Sequence, residues 1–223
     1  MRKLVVGTFL TLDGVMQAPG GPDEDRDGGF EHGGWSVNYW DELMGQTIVE
    51  STLRAGALLL GRKTYQIFAA HWPKVSDDDP VAAKLNSVQK YVASRTLKEL
   101  SWRNSTLLQG DVAEAVARLK RSAGDEIQVH GSGDLIQTLL AHDLVDELQL
   151  WVFPVSVGKG KRLFAGGTLP RALALVDTKI STTGVAMHIY RVAGAIRYGS
   201  FAVDEHGQTD ALWRDEGSEQ RSA

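Results

Sequence analysis

Short apolar segments alternate with amphipathic ones over the first 150 residues, and this alternation narrows the possible folds more than any other feature of the chain. Leu4–Leu12 is almost continuously apolar and β-prone until Asp13-Gly14 stops it, as suits a strand buried on both faces. Ala57–Leu60 repeats the pattern and ends at Gly61; Lys90–Ala93, Thr106–Leu108 and Glu126–His130 follow. Helical patterns lie between them. Residues 39–55 gather Trp40, Leu43, Met44, Thr47 and Ile48 on one face, and 63–69 form a short helix. Asp79-Pro80 is an N-cap followed by proline, and Asp111 caps a stripe of Val112, Ala115, Val116 and Leu119. A further helix after Gly133 turns Leu135, Ile136, Leu139 and Leu140 inward. Strands and helices in this order predict an α/β fold, layered helix–sheet–helix, with a mostly parallel sheet.

The pattern changes late in the chain. Glu147–Phe153 alternates as a strand, and 172–182 with 185–192 predict an antiparallel hairpin about Thr183-Gly184. Residues 196–203 read as one more strand, and 204–223 as a polar tail on a domain spanning 1–203. The strand Glu147–Phe153 carries Trp151 and Phe153 on one face and Leu148, Leu150 and Val152 on the other. Both faces are too apolar to stand in water. The aromatic one is covered either by a second copy of the chain, giving a homodimer, or by a helix or residues 196–203 of the same chain.

Charge and composition exclude several functions. The net charge of −4 disfavours a general nucleic-acid binder, and the absence of cysteine rules out disulfides and Cys-ligated zinc. No apolar run approaches the ~20 residues of a membrane span. Asp13-Gly14 follows the first apolar run where a signal peptide has its cleavage site, so a cytoplasmic protein without membrane partners is expected.

The chemistry concentrates at strand ends. Ile127-Gln-Val-His-Gly-Ser-Gly-Asp-Leu-Ile136 runs from a strand through Gly131-Ser132-Gly133 into a helix, where free N–H groups suit a phosphate. The third glycine of a dinucleotide fingerprint is replaced by Ile136, so a plain tight turn is the competing reading. Leu58-Leu-Leu-Gly-Arg-Lys-Thr-Tyr65 delivers Gly61, Arg62, Lys63 and Thr64 to a helix start, which is either an anion site or a solvated basic turn. Tyr91-Val-Ala-Ser-Arg-Thr-Leu97 ends a strand in Ser94 and Arg95. Three such strand ends on one sheet are more specific than any one of them.

In order and spacing, Leu10-Thr-Leu-Asp-Gly-Val15, the Gly-Arg-Lys-Thr-Tyr segment, Val92-Ala-Ser-Arg-Thr-Leu97 and Val129-His-Gly-Ser-Gly-Asp-Leu135 resemble the dihydrofolate-reductase-like superfamily. The resemblance covers roughly residues 2–193. It lies closest to the branch holding the C-terminal reductase domain of the bifunctional riboflavin-biosynthesis deaminase/reductase. It implies a mixed eight-stranded sheet and bound NADPH. Gly61, Arg62, Lys63 and Thr64 would lie at the cofactor phosphates and Ser94 and Arg95 near the 2′-phosphate. Gly131, Ser132, Gly133, Asp134 and Leu135 would wrap the pyrophosphate, and Leu12 and Asp13 would begin the loop beside the nicotinamide. It also implies a dimer, and hydride transfer to a small heterocycle of the 5-amino-6-(5-phosphoribosylamino)uracil or pterin kind.

The chain departs from folate reductases at their helix carboxylate, whose place falls near Gly45. Asp41, one turn earlier, is the candidate catalytic acid, with a solvated helix acid as its rival reading. A nucleotide-binding module without turnover is therefore the alternative function. Residues 19–34 form a long loop, either a lid over the substrate or a merely floppy segment. Its Asp23, Asp25, Asp27 and Gly28 match part of an EF-hand, but Gly34 replaces the required glutamate. Ser132 has no evident base partner, so hydrolysis lacks support.

Overall fold

The computed structural model describes residues 1–164 and 168–202. Eight strands form one sheet: β1 Leu4–Thr11, β2 Ala55–Gly61, β3 Gln89–Ala93, β4 Ser105–Leu107, β5 Glu126–His130, β6 Glu147–Phe153, β7 Leu173–Ile180 and β8 Ala186–Val192. Their order is β4-β3-β2-β5-β1-β6-β8-β7. Strands β1 to β6 pair in parallel, while β8 runs antiparallel to both β6 and β7. Parallel neighbours need long crossovers. The helices α1 Glu42–Leu53, α2 Arg62–His71, α3 Pro80–Ser87, α4 Val112–Arg121 and α5 Gly133–Ala141 supply most of them. The expected mixed α/β sheet with a late antiparallel hairpin is the observed one.

Alternation along the strands divides the core. Leu4, Val6, Leu59, Ile127, Val129, Leu148 and Leu150 face α4 and α5, meeting Val116, Ile136 and Leu139. On the opposite face Leu58, Leu60 and Val92 meet Tyr65, Leu85 and Trp102. Full burial of one such aliphatic side chain is worth about 1.5–3 kcal/mol. Lys90 is also buried there; its Nζ donates to the carbonyls of Asn86 at 2.8 Å and Arg103 at 3.1 Å and sits 4.3 Å from the Trp102 ring. Burial, reinforced by the nearby Arg103 charge, pulls the Lys90 ammonium down to about 8.

One alternative is selected and one expectation changes. Of the two covers expected for the aromatic face of β6, the observed one is the same chain: Trp151 and Phe153 pack with Met44 of α1 and with Phe9, Trp35 and Tyr39. Trp151 is 5% exposed and Phe153 fully buried, so neither offers a surface to a second subunit. This follows from β6 being an inner strand with α1 laid across it. Residues 196–202 form no strand, because the chain bends away after β8 at Gly194, φ 88°. Val203 and the tail expected over 204–223 lie outside the described residues. Among the described residues no helix is long and apolar enough to cross a membrane.

Candidate functional site: a two-ended cleft

The carboxyl ends of β2, β3 and β5 open on one cleft of about 1650 Å³. That is larger than the ~300–1,000 Å³ typical of a single small-molecule site. One end collects Gly61, Arg62, Lys63 and Thr64; Ser94 and Arg95; and Gly131, Ser132, Gly133, Asp134 and Leu135. The three sequence segments singled out as anion sites thus line one wall.

Helix capping distinguishes this end. Asp41, Asp79 and Asp111 cap α1, α3 and α4 through their side chains, satisfying orphan N–H groups. Helices α2 and α5, which start at the cleft, have no side-chain cap. Their first N–H groups and the positive ends of their dipoles remain available to an anion. The strand ends are stitched together: the Gly61 N–H donates to Ser132 Oγ at 2.9 Å, Ser132 Oγ–H donates to the His130 carbonyl at 2.9 Å, and the Ser132 N–H donates to Thr64 Oγ1 at 3.0 Å. The Ser132 hydroxyl is thereby a structural bridge. Gly131 (φ 51°) and Ser132 (φ 59°) are both left-handed, and a Cβ on Gly131 would lie 2.9 Å from Thr64 Oγ1.

The charges here are unequal. The Lys63 ammonium is paired with Asp27 at 2.9 Å and Asp25 at 3.5 Å. Lys161 holds the same two carboxylates at 2.6 Å (Asp25) and 2.7 Å (Asp27). Hydrogen bonds from Lys161 and then Lys63 push the Asp27 carboxyl far below its ordinary range. Burial works against the Lys161 charge, yet its bonds to Asp25 and Asp27 outweigh this and raise it. Asp25 and Asp27 therefore tie the 19–34 loop to α2 and to the 155–162 segment. Among the described residues, exposed Arg62 hydrogen-bonds to Gln66 at 3.3 Å, and Arg95 is exposed at the strand end. The Ser94 hydroxyl accepts the N–H groups of Thr96 and Leu97.

Leu12 and Asp13 are not in the cleft lining. Leu12 is 69% exposed. The Asp13 carboxylate accepts the Thr11 hydroxyl at 2.6 Å and the Val157 and Gly158 N–H groups at 3.2 and 2.8 Å. The Thr11 bond leads in bringing Asp13 down to about 2. The loop segment that does reach the cleft is Met16–Asp25, and Met16 Sδ lies 3.3 Å from where a Cβ on Gly133 would stand.

The other end of the cleft was not read from the sequence. Phe9, Trp40 and Trp151 form an aromatic wall there, with centroids 5.2–5.8 Å apart. Gly7, Ile48, Ser51, Thr52, His130 and Gln149 complete it. The legible signal was a lone glycine, Gly7, inside an apolar strand, which marks a close approach. Asp41 is not part of this lining: one carboxylate oxygen accepts the Met44 N–H at 2.9 Å, and the other takes the N–H and hydroxyl of Thr182 at 2.7 and 2.8 Å.

The chain matches the model of the family described as the RibD C-terminal domain over residues 2–189. It is 29% identical over 198 residues to the uncharacterized protein YyaP of Bacillus subtilis, covering 86% of this chain and 96% of that one. A solved structure from Shewanella sp. PV-4, provisionally assigned to riboflavin biosynthesis, superposes with a TM-score of 0.64 at 20% identity, over 85% of this chain and 98% of that one. Dihydrofolate reductase of Enterococcus faecalis, complexed with NADP(H), gives 0.55 at 12% identity, over 86% and 96%. At these identities the structural likenesses are likenesses of fold.

Proposed function

From the premise that this chain belongs to the RibD C-terminal domain family, we propose that it is a cytoplasmic NADPH-dependent reductase of a small heterocyclic substrate. The observation that carries this reading is the pairing of two uncapped helix N-termini with two available guanidinium groups in one cleft. The N–H groups of α2 and α5 would hold the pyrophosphate, with Gly131 leaving room for it. Arg62 and Arg95 suit the extra phosphate that separates NADP from NAD. When bound, NADPH supplies the hydride. The chain's residues position it: the left-handed Gly131-Ser132 turn fixes where α5 begins, and the aromatic wall offers apolar surface to a ring at the far end. That the dihydrofolate reductase neighbour carries NADP(H) on the same fold supports the cofactor assignment.

The substrate candidates are a phosphoribosylaminopyrimidine and a pterin. A second reading, nucleotide binding without turnover, is favoured by one observation: both oxygens of Asp41 are engaged outside the cleft. Following NADPH oxidation at 340 nm against pyrimidines, pterins and quinones tests the choice. Oxidation with any of them supports the reductase; tight NADPH binding with none oxidised supports the module. The proposal includes a homodimer, for which the exposed apolar residues Leu175, Val176 and Ile180 of edge strand β7 are the supporting surface.

A further inference from the structure

Register places His130, Gly7 and Gln149 in one row across β5, β1 and β6. The outer two stand two strand spacings apart, about 10 Å. Between them the sheet floor is bare backbone, since Gly7 has no side chain. His130 Nδ1 lies 3.7 Å from where a Cβ on Gly7 would be, so the imidazole leans over that gap.

Hydrogen bonding fixes what each side offers. Gln128 Nε2 points at two acceptors, the Ser51 carbonyl at 2.7 Å and Glu126 Oε1 at 2.6 Å. Its Oε1 must therefore be the atom that faces His130 Nε2 at 3.2 Å, and His130 Nε2 carries the proton. The Nδ1 lone pair is left over Gly7, with no partner among the described residues. Burial pulls His130 down to about 4, which keeps the ring neutral at ordinary pH. Gln149 is fixed likewise: its Nε2 donates to Glu147 Oε1 at 3.0 Å, and its Oε1 accepts the Ser51 hydroxyl at 2.8 Å. One N–H of Gln149 is left over among the described residues. Cations stand elsewhere: the lysines and arginines of the lining are Arg62 and Arg95 at the anion end, and Lys63, Lys161 and Arg162, which pair with Asp13, Asp25 or Asp27.

We propose that His130 and Gln149 are specificity-determining residues that read opposite edges of a flat, uncharged heterocycle lying over Gly7. His130 Nδ1 accepts a ring N–H, and the Gln149 amide donates to a ring carbonyl. The ring stacks near Phe9, Trp40 and Trp151, and it enters without a phosphate ester, since this end provides no free cation among the described residues. The inference rests on the reductase reading for its second ligand but narrows the substrate to the free heterocycle.

Lumazine and 1,3-dimethyllumazine are suitable probes, because methylation removes the ring N–H donors and leaves the flat shape. Binding to the NADP⁺-saturated protein is followed by quenching of tryptophan fluorescence. The parent should bind lumazine about tenfold more tightly than the dimethyl form, the value of one hydrogen bond near 1.4 kcal/mol. His130→Leu should abolish that discrimination and His130→Asn, which keeps an oxygen near the Nδ1 position, should restore part of it. Gln149→Glu should weaken lumazine binding without changing the affinity for NADP⁺. Equal binding of the two probes by the parent, no binding of either, or unchanged discrimination in His130→Leu overturns the inference. If His130→Leu does not fold, the Gln149→Glu result decides. The reductase reading fails separately, if NADP⁺ itself does not bind.

Discussion

Gly131 and Gly133 bracket the same turn, yet the structure asks different things of them. Gly131 is left-handed at φ 51°, and a Cβ there would strike Thr64 Oγ1 at 2.9 Å. Gly133 has ordinary torsions, and a Cβ there would press only on the flexible end of Met16. Gly131→Ala should therefore disturb the α2–α5 junction and lower NADPH affinity at least tenfold, whereas Gly133→Ala should cost only a fewfold. Titration of both variants checks this; equal losses would show that the turn geometry is not what the phosphates need. At this scale the sequence disclosed residue type but not commitment. Lys63 reads as a phosphate ligand from its neighbours Arg62 and Thr64, but its partners Asp25 and Asp27 lie 36 or more residues earlier and no local pattern links them. Nothing local in the strand Lys90–Ala93 marks its lysine as buried, and the ligands that hold it there, the Trp102 ring and the Asn86 carbonyl, come from outside the strand.

Among the elements, the strands and helices were legible wherever period and punctuation agreed. Asp79-Pro80 and Asp111 start α3 and α4 as expected, and Glu126–His130 and Glu147–Phe153 are strands with the expected ends. The aromatic end of the cleft was not legible, because it is assembled from β1, β5, β6 and α1 by register, and register is long-range. Asp41 illustrates the difference: its side chain caps α1 and ties it to the β7–β8 turn through Thr182. Asp41→Ala should lower the melting temperature by roughly 2–4 °C, the usual consequence of losing a cap in a chain this size, while NADPH affinity stays unchanged. A tenfold loss of turnover with unaltered melting would instead return Asp41 to the chemistry. The segment after β1 yields a pH prediction. Asp13 and Asp27 titrate lower in the folded chain than in the unfolded one, so their contribution is complete above about pH 4 and is lost as pH falls further. The urea midpoint should drop between pH 5 and pH 2.5, and Asp13→Asn should flatten that drop. An unchanged slope in the variant would place the acid sensitivity elsewhere.

At the scale of the whole molecule, the sheet has one end exposed on both faces. Strand β7 is an edge with Leu175 at 55% and Ile180 at 60% exposure, whereas Trp151, at 5%, packs with Met44 of α1 and lines the cleft. Light scattering should give about twice 24.3 kDa, and Leu175→Lys with Ile180→Lys should move the mass toward one chain. Trp151→Glu should unfold the protein rather than dissociate it, since that side chain is internal. The cleft, however, is the central claim. It unites three strand ends that the sequence offered separately, and it leaves α2 and α5 uncapped where α1, α3 and α4 are capped. Calorimetric titration of NADPH and NADH into the parent protein and Arg95→Ala tests it most directly. The account predicts that the parent prefers NADPH by about thirtyfold, ~2 kcal/mol, and that Arg95→Ala loses most of this preference while its NADH affinity barely moves. Equal affinity of the parent for the two nucleotides would contradict it.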